Sequence, residues 1–341
     1  MMKLSRLKMV GSFFLAGVLF LPAWAARTAQ PGSLNYTEGQ VVIGKQPVDS
    51  SSIGSAVLRP GEILKTEHGK AEILLTPGVF LRLDDASAIR LVAGGLTHTE
   101  VALEEGRAMV EVTDLHSEND LRIQENGQAV QLIKAGLYDF DAAQNQVRVF
   151  KGKAVGFADD RKITISGGHQ LDFNAEGKLK AKEFDKKQFE QTDLYRWSSL
   201  RSSYLAEANV DQARYYVNSG YYGYYGPGWI GAGWYWDPWF GTYTFIPGNG
   251  IFYSPFGWGF FSPPLVFRAP VFFAGPPVAH RFGPNFHPPV FAARPGMMAP
   301  SRPIGPALSR PPAMAHPGGM ARGGTFGGHS GGGGLGGHFA R

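Results

Sequence analysis

The chain has 341 residues, of which 43% are hydrophobic and 18% charged, with a net charge of +5 and no Cys. The lack of Cys excludes disulfide scaffolds, thiol nucleophiles and Cys-ligated zinc. Residues 1–25 carry +3 and residues 220–341 carry +6, which leaves −4 for the stretch between them. A basic face is therefore not expected in the part that folds, and nucleic acid is not expected as a partner.

The first 25 residues have the pattern of a secretory signal peptide. Lys3, Arg6 and Lys8 precede an apolar run at residues 9–20, and Ala23-Trp24-Ala25 forms an A-x-A site. We expect cleavage between Ala25 and Ala26, and hence a periplasmic or secreted protein with no transmembrane span after signal removal. The alternative is a retained anchor, although the apolar run is shorter than the ~20 residues that usually cross a bilayer.

Residues 38–180 alternate apolar and polar side chains in short runs, which is typical of half-buried strands. Such runs lie at 71–75, 80–83, 88–91, 108–112, 147–150 and 163–165. Turn residues separate them: Asn126-Gly127 suits a type I′ hairpin, and Pro60-Gly61 and Pro77-Gly78 suit type II turns. The pattern predicts an all-β core, as an antiparallel sandwich, a barrel or a β-solenoid, followed by one long helix and a largely disordered tail.

Part of this region resembles a known family. The segment VLRPGEILKTEHGKAEILLTPGVFLRLDDASAIRL is similar to the opening of the FecR domain, and EVALEEGRAMVEV, VRVFKGKAVGF and ISGGHQLDF are similar to its later hairpins and closing strand, in the same order. The resemblance covers residues 38–180. The chain departs from the family at Thr76-Pro77-Gly78, where Asp-Gly-Ser is common, and at Leu137, where Thr is usual.

The resemblance implies a periplasmic β-rich module for sensing or interaction. The family is best known from regulators that relay an outer-membrane siderophore signal to a sigma factor, and those regulators carry a cytoplasmic anti-sigma segment and a transmembrane helix before the domain. This chain resembles instead the secreted stand-alone form with an aromatic, Gly/Pro-rich C-terminal tail. An envelope protein or a polysaccharide is the expected partner.

A helix is predicted over residues 181–219. Asp185 and Gln188 form a capping box and Phe184 and Phe189 a hydrophobic staple, so the helix should begin near Lys186. An apolar stripe follows it, formed by Leu194, Trp197, Leu200, Tyr204, Leu205 and Ala208. Docking of Trp197 on the sheet is favoured over a free partner-binding face, because only one or two heptads are apolar.

Residues 220–261 form an aromatic segment rich in Gly and Pro. Trp229, Trp234, Trp236 and Trp239 are candidate contacts to sugar rings or a membrane surface. The alternative is packing on the helix and sheet, which we expect for at least half of them. A hairpin is predicted from strands at 241–247 and 250–253 around Gly248-Asn249.

Pro, Gly and Arg dominate residues 262–341, which predicts a disordered tail. Residues 30–218 are expected to fold without the aromatic segment and this tail, because the strand pattern and the capped helix lie inside that span. The spacing of the tail histidines does not suit a preformed metal site, and no metal or cofactor is expected; these are His280, His287, His316, His329 and His338. The basic tail and the aromatic segment could together contact a membrane or cell wall.

The predicted organisation is a signal peptide (1–25), a FecR-like β domain (26–180), an amphipathic helix (181–219), the aromatic segment (220–261) and the tail (262–341).

The favoured function is a non-enzymatic extracytoplasmic FecR-like binding or sensing module of the cell envelope. The alternative is an extracytoplasmic carbohydrate-active enzyme that uses turn carboxylates such as Asp84, Asp85 or Glu104. Asp159-Asp160 is interpreted as a hairpin turn. Two carboxylates facing each other in a concave pocket would favour the enzyme.

Overall fold

The structure, a computed structural model, describes residues 29–158, 161–218 and 231–270. The predicted signal peptide and cleavage site (Ala25, Ala26), Asp159-Asp160, Trp229 and the tail beyond residue 270 lie outside the described residues. In the N-terminal part the strands are β1 (Leu34–Ile43), β2 (Gln46–Val48), β3 (Ile63–Leu74), β4 (Val79–Leu83), β5 (Ser87–Gly94), β6 (His98–Glu105), β7 (Arg107–Val112), β8 (Asp120–Glu125), β9 (Gln128–Leu132) and β10 (Gly136–Asp141).

The remaining strands are β11 (Gln146–Lys151), β12 (Lys153–Ala158), β13 (Arg161–Ser166), β14 (His169–Asp172), β15 (Lys182–Glu183), β16 (Gly233–Asp237), β17 (Thr242–Ile246), β18 (Ile251–Tyr253) and β19 (Gly259–Phe261). Two helices, α1 (Lys186–Glu190) and α2 (Asp193–Asn218), lie between β15 and β16. Short 3-10 helices occupy Ser50–Ser52 and Pro263–Arg268.

Strands β1 to β15 form one mixed sheet, in the order β13-β12-β9-β8-β6-β5-β3-β4-β7-β10-β11-β14-β15, with β1 and β2 attached beside β3. Strands β6 and β8 pair in parallel, whereas the other pairings described are antiparallel. Its two ends, β13 and β15, are not paired with each other in the described part of the chain. The expectation of an all-β core followed by one long helix is confirmed, and of the three architectures considered, a closed barrel is not formed by the described strands.

The sheet curves around one hydrophobic core. Ile165 of β13 and Leu171 of β14 belong to the same buried apolar cluster, although their strands stand near opposite ends of the sheet order. Alternate residues of a strand point to opposite faces. In β4, Leu81 and Leu83 therefore join this core, while Phe80 and Arg82 point to the other face, which α2 covers.

The Asn126-Gly127 turn joins β8 to β9 as predicted. Both residues have positive φ, 46° and 80°, which is the requirement of a type I′ turn. Gln124 then faces Ala129 and Glu125 faces Gln128 across the hairpin. Turn chemistry thus sets the register of this strand pair.

The predicted single helix is divided in two. Asp185 accepts a hydrogen bond from the backbone N–H of Lys187 and caps the short helix α1, which ends at Glu190. The long helix begins only at Asp193. In α2, Trp197 packs on Tyr36 of β1 with ring centroids 5.9 Å apart. The Asp185 cap therefore marks a helix start, without the return contact from Gln188 that a capping box would add, and the helix has only five residues.

The pairing predicted within the aromatic segment is wrong. Strand β17 pairs with β16, not with β18, and β18 pairs with β19. One physical reason is the turn at Asp237, whose carboxylate accepts the backbone N–H groups of Trp239 and Phe240 at 2.8 and 3.0 Å and so closes the β16–β17 hairpin. The Gly248-Asn249 dipeptide instead lies in the link between two hairpins.

The two hairpins of the aromatic segment pack against α2 and the sheet. Tyr243, Phe245 and Phe260 are buried in a cluster with Phe80 of β4 and Leu205 of α2. This packing argues against the expectation that residues 30–218 fold independently of the aromatic segment. Because Tyr243, Phe245 and Phe260 belong to the aromatic segment, this segment contributes residues to the core.

Candidate functional site

A buried network of charges joins the sheet to α2. The Arg82 guanidinium donates to Glu72 at 2.8 Å and to Glu111 at 2.6 Å, and all three side chains are fully buried. Arg201 of α2 donates to Glu72 at 2.9 Å. Ser202, also of α2, donates to Glu111 at 2.8 Å. The network fixes the helix on the sheet.

The electrostatics of this network suit a structural role. Burial by itself raises the pKa of Glu72, but Arg201 and Arg82 outweigh burial and hold that pKa below its ordinary value. Removing one member of such a buried pair leaves an uncompensated charge, which is strongly destabilising. These carboxylates are committed to arginines and to the packing of α2, so they are not available to act on a bound substrate.

A second buried network lies along β7, β10 and β11. Asp139 accepts hydrogen bonds from Arg107 at 3.1 Å and from Arg148 at 2.9 Å. Glu125 lies close to this group and is fully buried, and burial raises its pKa to about 8, with smaller contributions from Asp141 and Asp139. Its side chain is therefore a protonated acid at neutral pH.

The turn carboxylates considered for the enzyme alternative are dispersed. Asp84 pairs with Lys70 at 2.9 Å, and the same lysine reaches Asp193 of α2 at 2.8 Å. Asp85 is exposed next to it in the β4–β5 turn. Glu104 pairs with Arg90 at 2.6 Å on the surface. None of the three lines the cleft described below.

The predicted aromatic contacts have different surroundings. Trp234 is half-buried, with its ring 4.8 Å from Phe80 in an edge-to-face arrangement. Trp236 is half-buried and packs on Tyr243 at 5.0 Å. Trp239 is 83% exposed at the tip of the β16–β17 hairpin. The structure therefore places Trp234 and Trp236 in packed positions and leaves Trp239 accessible.

A cleft of about 550 Å³ opens where the two ends of the sheet approach each other. One wall is β13, and the other is the segment 178–181 that leads into β15. We call this the basic cleft; its lining residues are Arg161, Lys162, Ile163, Thr164, Ser166, His169, Lys178, Leu179, Lys180 and Ala181. Four of these are Lys or Arg, and none is acidic, so the basic cleft suits an anionic ligand.

The basic cleft has an apolar floor beneath its cationic rim. Ile163, Leu179 and Ala181 are partly buried and pack against the core of the sheet. Lys162, Lys178 and Lys180 are exposed beside them. Apolar and charged residues alternate along residues 178–181, and on β13 Ile163 follows Lys162, so an extended ligand would meet both charge and apolar surface.

Sequence reasoning missed both the buried charge networks and the basic cleft. The Lys178-Leu179-Lys180 pattern is a signal that could have drawn attention to one wall. The cleft between this segment and β13 was not predicted, because β14, which follows β13 along the chain, pairs with β11 and not with β13. Within the described residues, no group of three or more His, Asp or Glu is placed to hold a metal ion.

Comparison with known proteins adds family information. No curated protein shows a significant match to the chain. Two solved structures of a candidate anti-sigma factor from Parabacteroides distasonis are similar to it, with 16% and 17% sequence identity and TM-scores of 0.32 and 0.33. Each alignment covers 37% of this chain and 62% of the other. Among the described residues, no helix is long and apolar enough to cross a membrane.

A family match covers the central strands of the sheet along the chain. Residues 62–155 match the family described as FecR protein. The matched stretch lies within residues 38–180, where the sequence motifs resemble that family, and it runs from the start of β3 into β12. This chain therefore contains a FecR domain at residues 62–155.

Proposed function

We propose that the chain is a non-enzymatic extracytoplasmic FecR-like binding or sensing module of the cell envelope. The observation that carries the proposal is the FecR domain at residues 62–155, since that family implies a sensing or regulatory module with protein partners. The wider environment of the domain agrees with a rigid scaffold. Its buried acids Glu72 and Glu111 are paired with Arg82, and α2 is fixed to it by Arg201.

The proposed location rests on the sequence of the N-terminus. Three cations, an apolar run and the A-x-A pattern ending at Ala25 match the three-part pattern of a secretory signal. After export the mature chain would begin at Ala26. An envelope protein or a polysaccharide is then the partner that such a module could reach.

The arrangement of carboxylates favours binding over glycoside hydrolysis. A carbohydrate-active enzyme with two carboxylates needs them on either side of one bond, at a fixed separation. Here Asp84 and Glu104 are each paired with a different cation, Lys70 and Arg90. The basic cleft, whose lining has no carboxylate, is a place to hold an anion.

Cell fractionation with N-terminal sequencing tests the location. We expect the native protein outside the cytoplasm, beginning at Ala26. The matched control replaces Ala23 and Ala25 by Leu, which removes the small residues that signal peptidase requires. That variant should keep its signal sequence, and an uncut wild-type chain in the cytoplasmic fraction would contradict the proposal.

Incubation of the purified mature chain with envelope polysaccharides tests the absence of catalysis. We expect retention without release of new reducing ends, or no interaction if the partner is a protein. Release of reducing ends that is abolished by Asp84→Asn or Glu104→Gln would overturn the non-enzymatic proposal in favour of the carbohydrate-active alternative.

A further inference from the structure

The edge of the sheet at the basic cleft has unused backbone pairing capacity. Strand β13 ends the sheet order and, within the described ranges, pairs only with β12. An edge strand presents a row of N–H and C=O groups to which another strand can add. Residues 178–181 form the opposite wall of the cleft and are not paired with β13 as a strand.

The lysines near the β13 edge determine which kind of strand can pair with it. Lys162 lies on β13, and Lys178 and Lys180 lie on the facing wall. Lysines on an edge oppose its pairing with a second copy of the same basic edge, and natural proteins use them in that way. The same lysines attract an acidic strand, because opposite charges across an interface favour encounter and fix register.

The alternation of the walls favours a peptide over a polysaccharide. Leu179 lies between Lys178 and Lys180, and Ile163 adds apolar surface beside Lys162, so a strand with alternating acidic and apolar residues matches the period of the 178–181 wall. A charged polysaccharide would satisfy the lysines but would leave the apolar floor and the free backbone groups of β13 unmatched. Strand addition satisfies all of these features together.

We propose that the basic cleft binds an acidic, extended segment of a partner protein, which adds as a strand to the free edge of β13. The lysines at 162, 178 and 180 contact its carboxylates, and its apolar residues lie on Ile163, Leu179 and Ala181. This assignment rests on the proposed function, because it names the surface by which the module holds a protein partner.

Binding of a synthetic peptide to the full mature chain tests the assignment. The probe is a fluorescent peptide of alternating Glu and Val, matched in length to β13, and fluorescence anisotropy reports its binding. We expect Lys178→Glu/Lys180→Glu to weaken binding by about tenfold or more, as expected for loss of close charge pairs. The matched control, Lys45→Glu/Lys65→Glu, changes the net charge equally at exposed positions in and beside β3, which is separated from β13 by five strands in the sheet order, and should leave binding unchanged.

Three further probes separate strand addition from charge attraction, and they use the unaltered protein. A peptide of the same sequence with N-methyl groups along one edge keeps its charge but loses the N–H donors of that edge, which make half of its backbone hydrogen bonds to β13. We therefore expect it to bind about tenfold more weakly. Polygalacturonate and inorganic phosphate should compete poorly. Equal binding of the methylated peptide, or stronger binding of polygalacturonate, would overturn strand addition in favour of a general anion site.

Failure here is distinguishable from failure of the proposed function. If the peptide does not bind while the protein is exported and releases no reducing ends, the cleft assignment is wrong and the envelope module stands. If the double variant at residues 178 and 180 loses its cooperative melt, the methylated peptide still decides the question on the wild-type chain.

Discussion

Individual buried polar residues hold this protein together across long sequence separations. Asn35 of β1 accepts the backbone N–H of Tyr243 at 2.8 Å and donates to the carbonyl of the same residue at 3.1 Å. Asn209 of α2 makes a similar pair of contacts, from the backbone N–H of Phe261 at 2.7 Å and to its carbonyl at 3.0 Å. Each amide satisfies backbone groups of a hairpin that would otherwise be buried without partners.

Glu125 gives the stability of the protein a pH dependence. Burial raises its pKa from 4.5 to about 8, so the folded chain keeps a proton that the unfolded chain releases. The contribution of this group to stability is fully present below its ordinary pKa and is lost as the pH rises toward about 8. At pH 7 the loss is about 3 kcal/mol, from the difference between 7 and the ordinary pKa.

Glu125→Gln should therefore reduce the fall in unfolding free energy between about pH 5 and about pH 8, measured by urea denaturation. An uncharged amide of the same shape removes the proton uptake that accompanies folding. Glu67→Gln, at an exposed position, is the control and should preserve the wild-type slope. An unchanged slope in the Glu125 variant would show that this carboxyl is ionised in the folded state.

Replacing different tryptophans of the aromatic segment by Ala should change the stability of the protein by different amounts. Trp234→Ala removes edge contacts to the buried rings of Phe80 and Phe245, so we expect a loss of about 3 kcal/mol or more. Trp239→Ala removes an exposed ring and should change stability by no more than about 0.5 kcal/mol. Thermal melts of both variants measure the contrast, and equal losses would contradict the packing described for this segment.

At the scale of elements, α2 connects the FecR domain to the aromatic hairpins. Its N-terminal half packs Leu194 and Trp197 against Met109 and Phe150 of the sheet. Further along, Leu205 packs with Tyr243 and Phe245. The C-terminal half of the helix contacts Phe261 and Val266 through Val210 and Ala213. The helix therefore needs both the sheet and the hairpins to bury its sides.

Removal of the hairpins should damage the core. A fragment of residues 26–218 lacks Tyr243, Phe245 and Phe260, and each large aromatic side chain lost from a core costs about 3–5 kcal/mol. The sum is comparable with the whole stability of a typical domain, about 5–15 kcal/mol. We expect this fragment to lose its cooperative melt, whereas a fragment of residues 26–270 should retain it. Equal melting of the two fragments would show that the hairpins are dispensable.

At the scale of the whole molecule, the sequence predicts where the strands lie better than it predicts which elements pack against them. Alternation is visible in Phe80-Leu81-Arg82-Leu83, and it correctly predicts β4. The same alternation suggests that Arg82 faces solvent, but α2 covers that face and supplies Arg201 to the network from more than a hundred residues away. Local patterns cannot indicate such a cover, because it depends on where a distant helix docks.

The same limit applies to the candidate site. The sequence marks β13 as a strand, but the basic cleft forms because β14, the next strand along the chain, pairs with β11 and leaves β13 unpaired with residues 178–181. The tryptophans have a different limit: packing is expected for at least half of them, but the sequence does not say which. Density of Trp and Tyr does not distinguish a ring on Phe80, as for Trp234, from a ring at a hairpin tip, as for Trp239.

Cross-linking in living cells tests most directly the claim that this chain holds an envelope partner through the basic cleft. A photoreactive residue at Thr164 on β13 would be compared with one at Lys45, an exposed position in the turn between β1 and β2. We predict an adduct from position 164, and none from position 45, with a protein outside the cytoplasm whose cross-linked peptide is acidic and extended. The claim would be contradicted if position 164 gave no adduct in a correctly exported chain, or if it joined only to cytoplasmic proteins.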